Sequence, residues 1–169
     1  SEPDAGSDLA GLKTSAVRDG DDYVVNGQKI WTSRAGHSDL MVLLARTASR
    51  DTVPKPTQGL SVFMVDLREE IDHSIKITPI ETMINHSTNS VFFDDLKVQA
   101  KNLIGNEGEG FSYILDGMNA ERILIGAECI GDARFLVQRA AAYANEREVF
   151  GRPIGQNQGI QFPIAEAHI

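Results

Sequence analysis

The hydrophobic period of this chain changes once, near Gly105, and that switch limits the fold to a β portion followed by a helical one. Before it, short runs of β-forming residues alternate with turn residues. Asp22 to Val25 is rich in β-formers; the Asn26-Gly27 pair after it is a strong hairpin signal, with Gln28 to Thr32 as the return strand. Leu40 to Ala45 is a mostly apolar run, which predicts a strand buried on both faces, and Leu60 to Val65 is another. Ser90 to Phe93 is a third, ending at the turn-prone Asp94-Asp95. Val53 to Gly59 reads as an exposed loop between strands. Several short strands at this spacing predict a β-barrel or sandwich.

After Gly105, Phe111, Ile114, Leu115 and Met118 recur at the spacing of one helix face. Leu124, Ala127 and Ile130, with the small residues Gly126 and Gly131, predict close helix–helix approach, and Phe135, Leu136, Ala140 and Tyr143 continue the stripe. A helix unbroken to Arg147 would exceed about 50 Å at about 1.5 Å per residue. That is too long to bury in one small domain, so it is expected to pack against helices not present here. Gly151-Arg152-Pro153 breaks it, and a second helix is expected from Gln158. The fold class is therefore α+β: a β-domain over 1–104, then a long helix opening an incomplete helical domain over 105–169.

Composition narrows the function. The 169 residues are 41% hydrophobic, enough for a packed core rather than disorder. A net charge of −8 argues against nucleic-acid and membrane-surface binding, both of which need clustered Lys and Arg. Neither a membrane-spanning run nor a signal-peptide pattern is found. Cys129, the single cysteine, has no partner for an internal disulfide, which fits a reduced compartment, and its apolar neighbours predict a buried core thiol. His37, His73, His86 and His168 lack metal-ligand spacing, so no metal site is assigned, and no dinucleotide-binding glycine motif follows a strand. The chain begins without Met inside its first motif, as a piece of a longer protein would.

Four stretches carry candidate chemistry. Ser1 to Asp8 is a polar loop in which Pro3 fixes φ and Gly6 permits unusual backbone angles; it suits either a ligand or an ordinary surface turn. In Trp31-Thr32-Ser33 the only Trp stands at a strand end beside two hydroxyls. An indole there can stack on a flat ring while a hydroxyl donates to a ring nitrogen or carbonyl, or it can fill the core. Asn119-Ala120-Glu121-Arg122 puts charge into an apolar helix, with Glu121 on or near the apolar face. A carboxylate against an apolar surface is a base near neutral pH, whereas a solvated Glu beside an Arg is not. Arg147, with Phe150 and Gln158 after it, could meet a phosphate or simply complement a helix end.

Taken together and in this order, these stretches resemble the acyl-CoA dehydrogenase family over essentially the whole chain. Ser1 to Asp8 resembles its T-E-P-x-A-G-S-D signature, and Tyr23 to Ser33 its Y-x-x-N-G-x-K-x-W-I-T/S hairpin. Val91 to Leu96 resembles its V-x-F-D-D-V strand, and Glu146 to Ile154 followed by Gln158 its E-R-x-x-F-G-x-P-I…Q segment. The resemblance implies a middle β-barrel domain followed by the first long helix of a four-helix domain. It implies FAD, with Ser1 at the flavin pyrimidine edge, Trp31 and Thr32 at the isoalloxazine and Ser33 near its N5. Ser7, Asn119 and Arg122 would contact acyl-CoA, with Asn119 where the family carries Asp. Arg147, Phe150 and Gln158 would hold the FAD of a neighbouring subunit, implying a homodimer or homotetramer.

The implied reaction is α,β-dehydrogenation: a base takes the α-proton of the thioester while the β-hydride passes to the flavin, with an electron-transferring flavoprotein or similar acceptor downstream. Most of the family carry that base late in the C-terminal domain; a minority carry it beside the Arg of this helix, where Glu121 stands. Both places stay open. A bacterial cytoplasm or a mitochondrial matrix would be the setting. Thr82 to Ser90 departs from the family's M-G-x-R-x-S-x-T stretch, which touches substrate contacts and chain-length preference. An oxidase of the same fold and a non-catalytic module binding acyl-CoA or a partner are the alternatives. The isolated piece is expected to bind FAD weakly and not to turn over.

Overall fold

The computed structural model describes residues 1–83 and 87–169, which form two compact units, Ser1–Asp116 and Gly117–Ile169. Residues 84–86, the middle of the departing Thr82 to Ser90 stretch, lie outside the described residues.

The first unit is built on β1 (Ser15–Asp19) and β2 (Asp22–Ser33), a hairpin closed at Gly20-Asp21, where Gly20 at φ 61° supplies the positive angle a two-residue loop needs. With β3 (Leu40–Arg46), β4 (Leu60–Asp66), β5 (Ile75–Ile80), β6 (Thr88–Gln99) and β7 (Leu103–Ile104) they form one sheet in the order β5-β6-β2-β1-β3-β4-β7. The β1–β3 join is one parallel pair, Ser15 with Arg46; the other pairings are antiparallel.

The expected barrel is not closed: among the described residues no pairing joins the edge strands β5 and β7. Two antiparallel ribbons, hinged at the single Ser15–Arg46 pair, instead bury their inner faces in a shared core. Tyr23 and Val25 of β2 and Leu43 and Phe63 of β3 and β4 belong to one cluster. The Tyr23 and Phe63 rings meet edge-on with centroids 4.9 Å apart. Burial comes from packing between ribbons, so closure by hydrogen bonds is not required.

Three local expectations are corrected. Asn26-Gly27 is no hairpin turn but the middle of β2, where pairing with β6 slips between Val25 and Gly27. The extra residue lies on β6, which continues through Asp94-Asp95 instead of ending there, with Asp95 at φ 49°. Asn26 Nδ2 donates to Asp95 Oδ1 at 2.9 Å, and the Asp95 N–H returns a 2.9 Å bond to Asn26 Oδ1, so polar side chains complete the broken ladder. Strand β3 is buried on one face only: Met41, Leu43 and Ala45 point into the core while Leu40 and Val42 are exposed. A ribbon with one inner face leaves the alternate residues of an apolar run outside.

Ala5, Leu12 and Leu60 form a second cluster, with Leu44 and Phe111 against it. It ties the N-terminal loop to the first turn of α1 (Gly110–Glu146). Gly110 lies so close to Ser61 that a Cβ there would come within 2.7 Å of its backbone. The single long helix expected to about Arg147 is thus present, and α2 (Gln158–His168) follows as expected. Between them β8 (Glu148–Val149) and β9 (Arg152–Pro153) make a small hairpin.

In the second unit the turn before α2 packs on α1, with Gly155 so near Ala144 that a Cβ would sit 2.9 Å from the Ala144 carbonyl. Elsewhere α1 keeps apolar residues exposed, Ile123, Leu124, Ile130, Phe135 and Leu136 among them. Cys129, expected in a core, is exposed for the same reason: this stretch of helix has no covering layer in its own unit. No helix of the described residues is long and apolar enough to cross a membrane.

Candidate functional site

The N-terminal loop is a turn closed on itself. Glu2 and Ala5 exchange backbone hydrogen bonds at 3.0 and 3.1 Å, with Pro3 at the turn's second position. The Glu2 side chain points inward, leaving the residue 7% exposed. Its Oε2 accepts the Lys13 N–H at 2.6 Å, and its Oε1 accepts the Thr14 N–H at 3.0 Å and Lys29 Nζ at 2.8 Å. Burial pushes this carboxyl up, but the bonds from Lys13, Lys29 and Thr14 prevail and hold it well below the usual carboxylate range, at about 2. Burial lowers the pKa of the Lys29 ammonium, with the Glu2 charge opposing the shift.

Because the Glu2 carboxyl ionises more readily folded than unfolded, its contribution to stability is fully present above the ordinary carboxylate range near 4.5 and disappears as pH falls toward 2. Allowing for the opposing cost of burying Lys29, the contribution is about 2 kcal/mol. Urea midpoints of the full-length protein should therefore fall more steeply between pH 5 and pH 3 for wild type than for Glu2→Gln; parallel slopes would show that Glu2 carries no such linkage.

Ser1 is fixed beside β2 by its carbonyl, which accepts the Ile30 N–H at 3.0 Å. The next residue, Trp31, stands at φ 61° in the left-handed region, where β2 carries an extra residue and pairing slips between Lys29 and Thr32. A bulky side chain at positive φ costs about 1–2 kcal/mol and persists only where the surroundings hold it. The bulge leaves Trp31 59% exposed at the sheet margin rather than in the core. Pairing resumes at once: Asn89 Nδ2 donates to the Thr32 carbonyl at 3.2 Å, and Ser33 pairs with Thr88. Arg34, at φ 59°, then turns the chain, and its N–H donates to the Ser87 carbonyl at 2.8 Å.

Ser1, Trp31, Thr32 and Ser33 are thereby gathered on one margin from two separate motifs. An exposed indole fixed by a strained bulge, with Ser1 on one side and Thr32 and Ser33 following, is chemically suited to a flat ring with hydrogen-bonding edges, as a flavin has. Ser7 follows in the same loop and is exposed.

The other candidates belong to the second unit. Asn119, Glu121 and Arg122 are exposed on α1, and Arg122 Nη1 donates to Asn119 Oδ1 at 2.9 Å. The apolar wall expected beside Glu121 is not built from the residues of this unit. Arg147 follows α1 directly: its N–H donates to the Tyr143 carbonyl, and its carbonyl accepts the Ile154 N–H, both at 2.8 Å. Phe150 and Gly151, at φ 55° and 76°, form the β8–β9 turn, with Phe150 100% exposed at its tip. An open cleft of about 570 Å³ is lined by Phe150, Arg152, Asn157 and Ile160 among others. Phe150 alone of the three expected residues lines it; Arg147 and Gln158, the first residue of α2, do not.

Residue-level reading had missed Glu2, Lys29 and Asn89. A lysine in the inward rhythm of an apolar strand was the available signal for Lys29, since such a charge is buried only with a partner.

Residues 1–96 match the family profile described as acyl-CoA dehydrogenase, middle domain, and residues 108–169 that described as acyl-CoA dehydrogenase, C-terminal domain. The chain belongs to the acyl-CoA dehydrogenase family.

Cyclohex-1-ene-1-carbonyl-CoA dehydrogenase of Syntrophus aciditrophicus is 36% identical over 168 residues, covering 98% of this chain and 39% of that protein. The crystal structure of an acyl-CoA dehydrogenase from Geobacillus kaustophilus superposes with a TM-score of 0.86 at 34% identity, covering 99% of this chain and 43% of the other. A chain in a structure of the electron transferring flavoprotein of Acidaminococcus fermentans does so with a TM-score of 0.80 at 33% identity, covering 98% and 42%. The chain spans about two fifths of the length of the curated relatives it matches.

Proposed function

We propose that the full-length protein is an FAD-dependent acyl-CoA dehydrogenase that converts an acyl-CoA thioester to the 2-enoyl-CoA. Residues 1–104 supply flavin and acyl-CoA contacts, and 105–169 open the helical domain. FAD, when bound, supplies the two-electron acceptor for the β-hydride. Ser1, Trp31, Thr32 and Ser33 hold and orient the ring, while Ser7, Asn119 and Arg122 bind the acyl-CoA. Glu121 takes the α-proton on its carboxylate, and Arg147, Phe150 and Gln158 serve the FAD of a neighbouring copy in a homo-oligomer. An electron transferring flavoprotein is the acceptor to test first, given the likeness to a chain of that assembly.

The observation that carries this reading is the exposed, left-handed Trp31 held beside Ser1 in a chain of this family. The experiment is anaerobic addition of an acyl-CoA panel to the full-length protein while its visible flavin band is followed. Bleaching by at least one acyl-CoA is expected. A flavin band that no acyl-CoA bleaches, or the absence of any flavin uptake, would overturn the reading, and rapid reoxidation in air would reassign it to an oxidase.

A further inference from the structure

We propose that Glu2 and Lys29 are the positioning pair of this site: a buried carboxylate and ammonium that lock the N-terminal loop to β2 and so set where Ser1 and Trp31 stand. The inference rests on the flavin reading above. Neither residue touches the ring margin; each acts through its neighbour. Glu2 opens the turn that carries Pro3 and follows Ser1, so the three donors on its carboxylate fix the residue next to the Ser1 carbonyl.

Lys29 is the last residue of β2 in regular register before the bulge, paired with Val91 on β6. The following Ile30 N–H reaches Ser1 and the one after is Trp31. The pair therefore closes a short circuit, from Ser1 through Glu2 to Lys29 and from Ile30 back to Ser1, with the strained Trp31 emerging from it.

Stability alone is a poor reason for such a pair. Glu2 and Lys29 are 7% and 9% exposed, and two apolar side chains of the same bulk would fill that space without the cost of removing two charges from water. What apolar packing cannot supply is direction. A carboxylate with three convergent donors admits one placement of the loop, whereas apolar contacts tolerate several. A left-handed Trp31 needs that over-determination, because a loosened bulge relaxes to a regular strand and moves the indole.

The test strips flavin from the full-length protein and titrates FAD back, with apoprotein melting measured in parallel. Glu2→Gln keeps volume and one acceptor but removes the charge facing Lys29; its FAD Kd is expected to rise about tenfold or more. Lys29→Met leaves the Lys13 and Thr14 bonds to Glu2 in place, so it tests the pair should Glu2→Gln fail to fold; a rise of about fivefold is expected. Tyr23→Phe, on the same strand as Lys29 but away from the ring margin, removes the 2.8 Å bond that Tyr23 Oη donates to Glu107 and the 3.3 Å bond it accepts from Arg18. It is expected to lower the melting temperature while leaving the FAD Kd within about twofold of wild type.

A foldable Glu2→Gln or Lys29→Met that binds FAD as wild type does overturns the proposal. So does a Tyr23→Phe that weakens FAD as much as they do, since the effect would then be general destabilisation. Wild type that takes up no FAD overturns the flavin reading itself, and this inference with it.

Discussion

Glu121→Gln in the full-length protein is expected to slow acyl-CoA-dependent bleaching of the flavin band by about 10³-fold while leaving FAD binding unchanged. Positioned proton transfer by a side chain is worth about 10²–10⁴-fold, and a glutamine of the same shape cannot accept the proton. Glu121 lies on α1 within the segment that carries Asn119 and Arg122, which are tied to one another at 2.9 Å. A substrate bound by those two residues would find this carboxylate next in the chain. Glu121 is exposed in its own unit, open to an acyl chain or further helices of the full-length protein. Stopped-flow absorbance of the two proteins decides the matter. Bleaching by the variant within tenfold of wild type would clear Glu121 and assign the base to another residue of the full-length protein.

The largest structural effect is expected at Gly27. Replacing it with alanine should lower the unfolding free energy by about 3 kcal/mol, from overpacking together with an unfavourable backbone angle. Gly27 stands at φ 148°, and a Cβ there would lie 2.6 Å from both Cα and Oγ1 of Thr14. The contact with Cα cannot be relieved by turning a side chain, because that atom is backbone. Thr14 is itself held: its N–H donates to Glu2 and its hydroxyl to the Gln28 carbonyl. The same substitution should therefore weaken FAD as well as fold stability, by pushing Thr14 off the carboxylate that anchors Ser1. Urea denaturation and FAD titration of the variant check the two effects separately. A loss under about 1 kcal/mol would mean that β1 and β2 separate there more easily than their packing indicates.

Much of the fold was legible from residue order alone. The switch at Gly105 from short β-runs to a helical stripe became the sheet and then α1, and the break at Gly151-Arg152-Pro153 became the β8–β9 hairpin before α2. These features rest on backbone preference and hydrophobic period, which are local properties. The Gly20-Asp21 turn was there to be read as well, since Gly followed by Asp is a two-residue hairpin signal, but Asn26-Gly27 offered the more familiar one.

Gly27 shows why the two could not be told apart in advance. A glycine marks either a turn or a close approach, and which it is depends on Thr14, thirteen residues away in sequence and packed on its Cα. The position of the bulges had the same origin: it follows from how β2 and β6 pair, not from either strand by itself.

By itself, the sequence determined the family and the change from a β portion to a long helix followed by a second one, because these depend on neighbours along the chain. Only the tertiary structure decided that the sheet stays open, that Trp31 is strained and exposed, and that Glu2 and Lys29 lock Ser1 beside it. Each of those depends on a contact between residues far apart in the chain, where burial forces every charge to find a partner and every close approach to find a glycine.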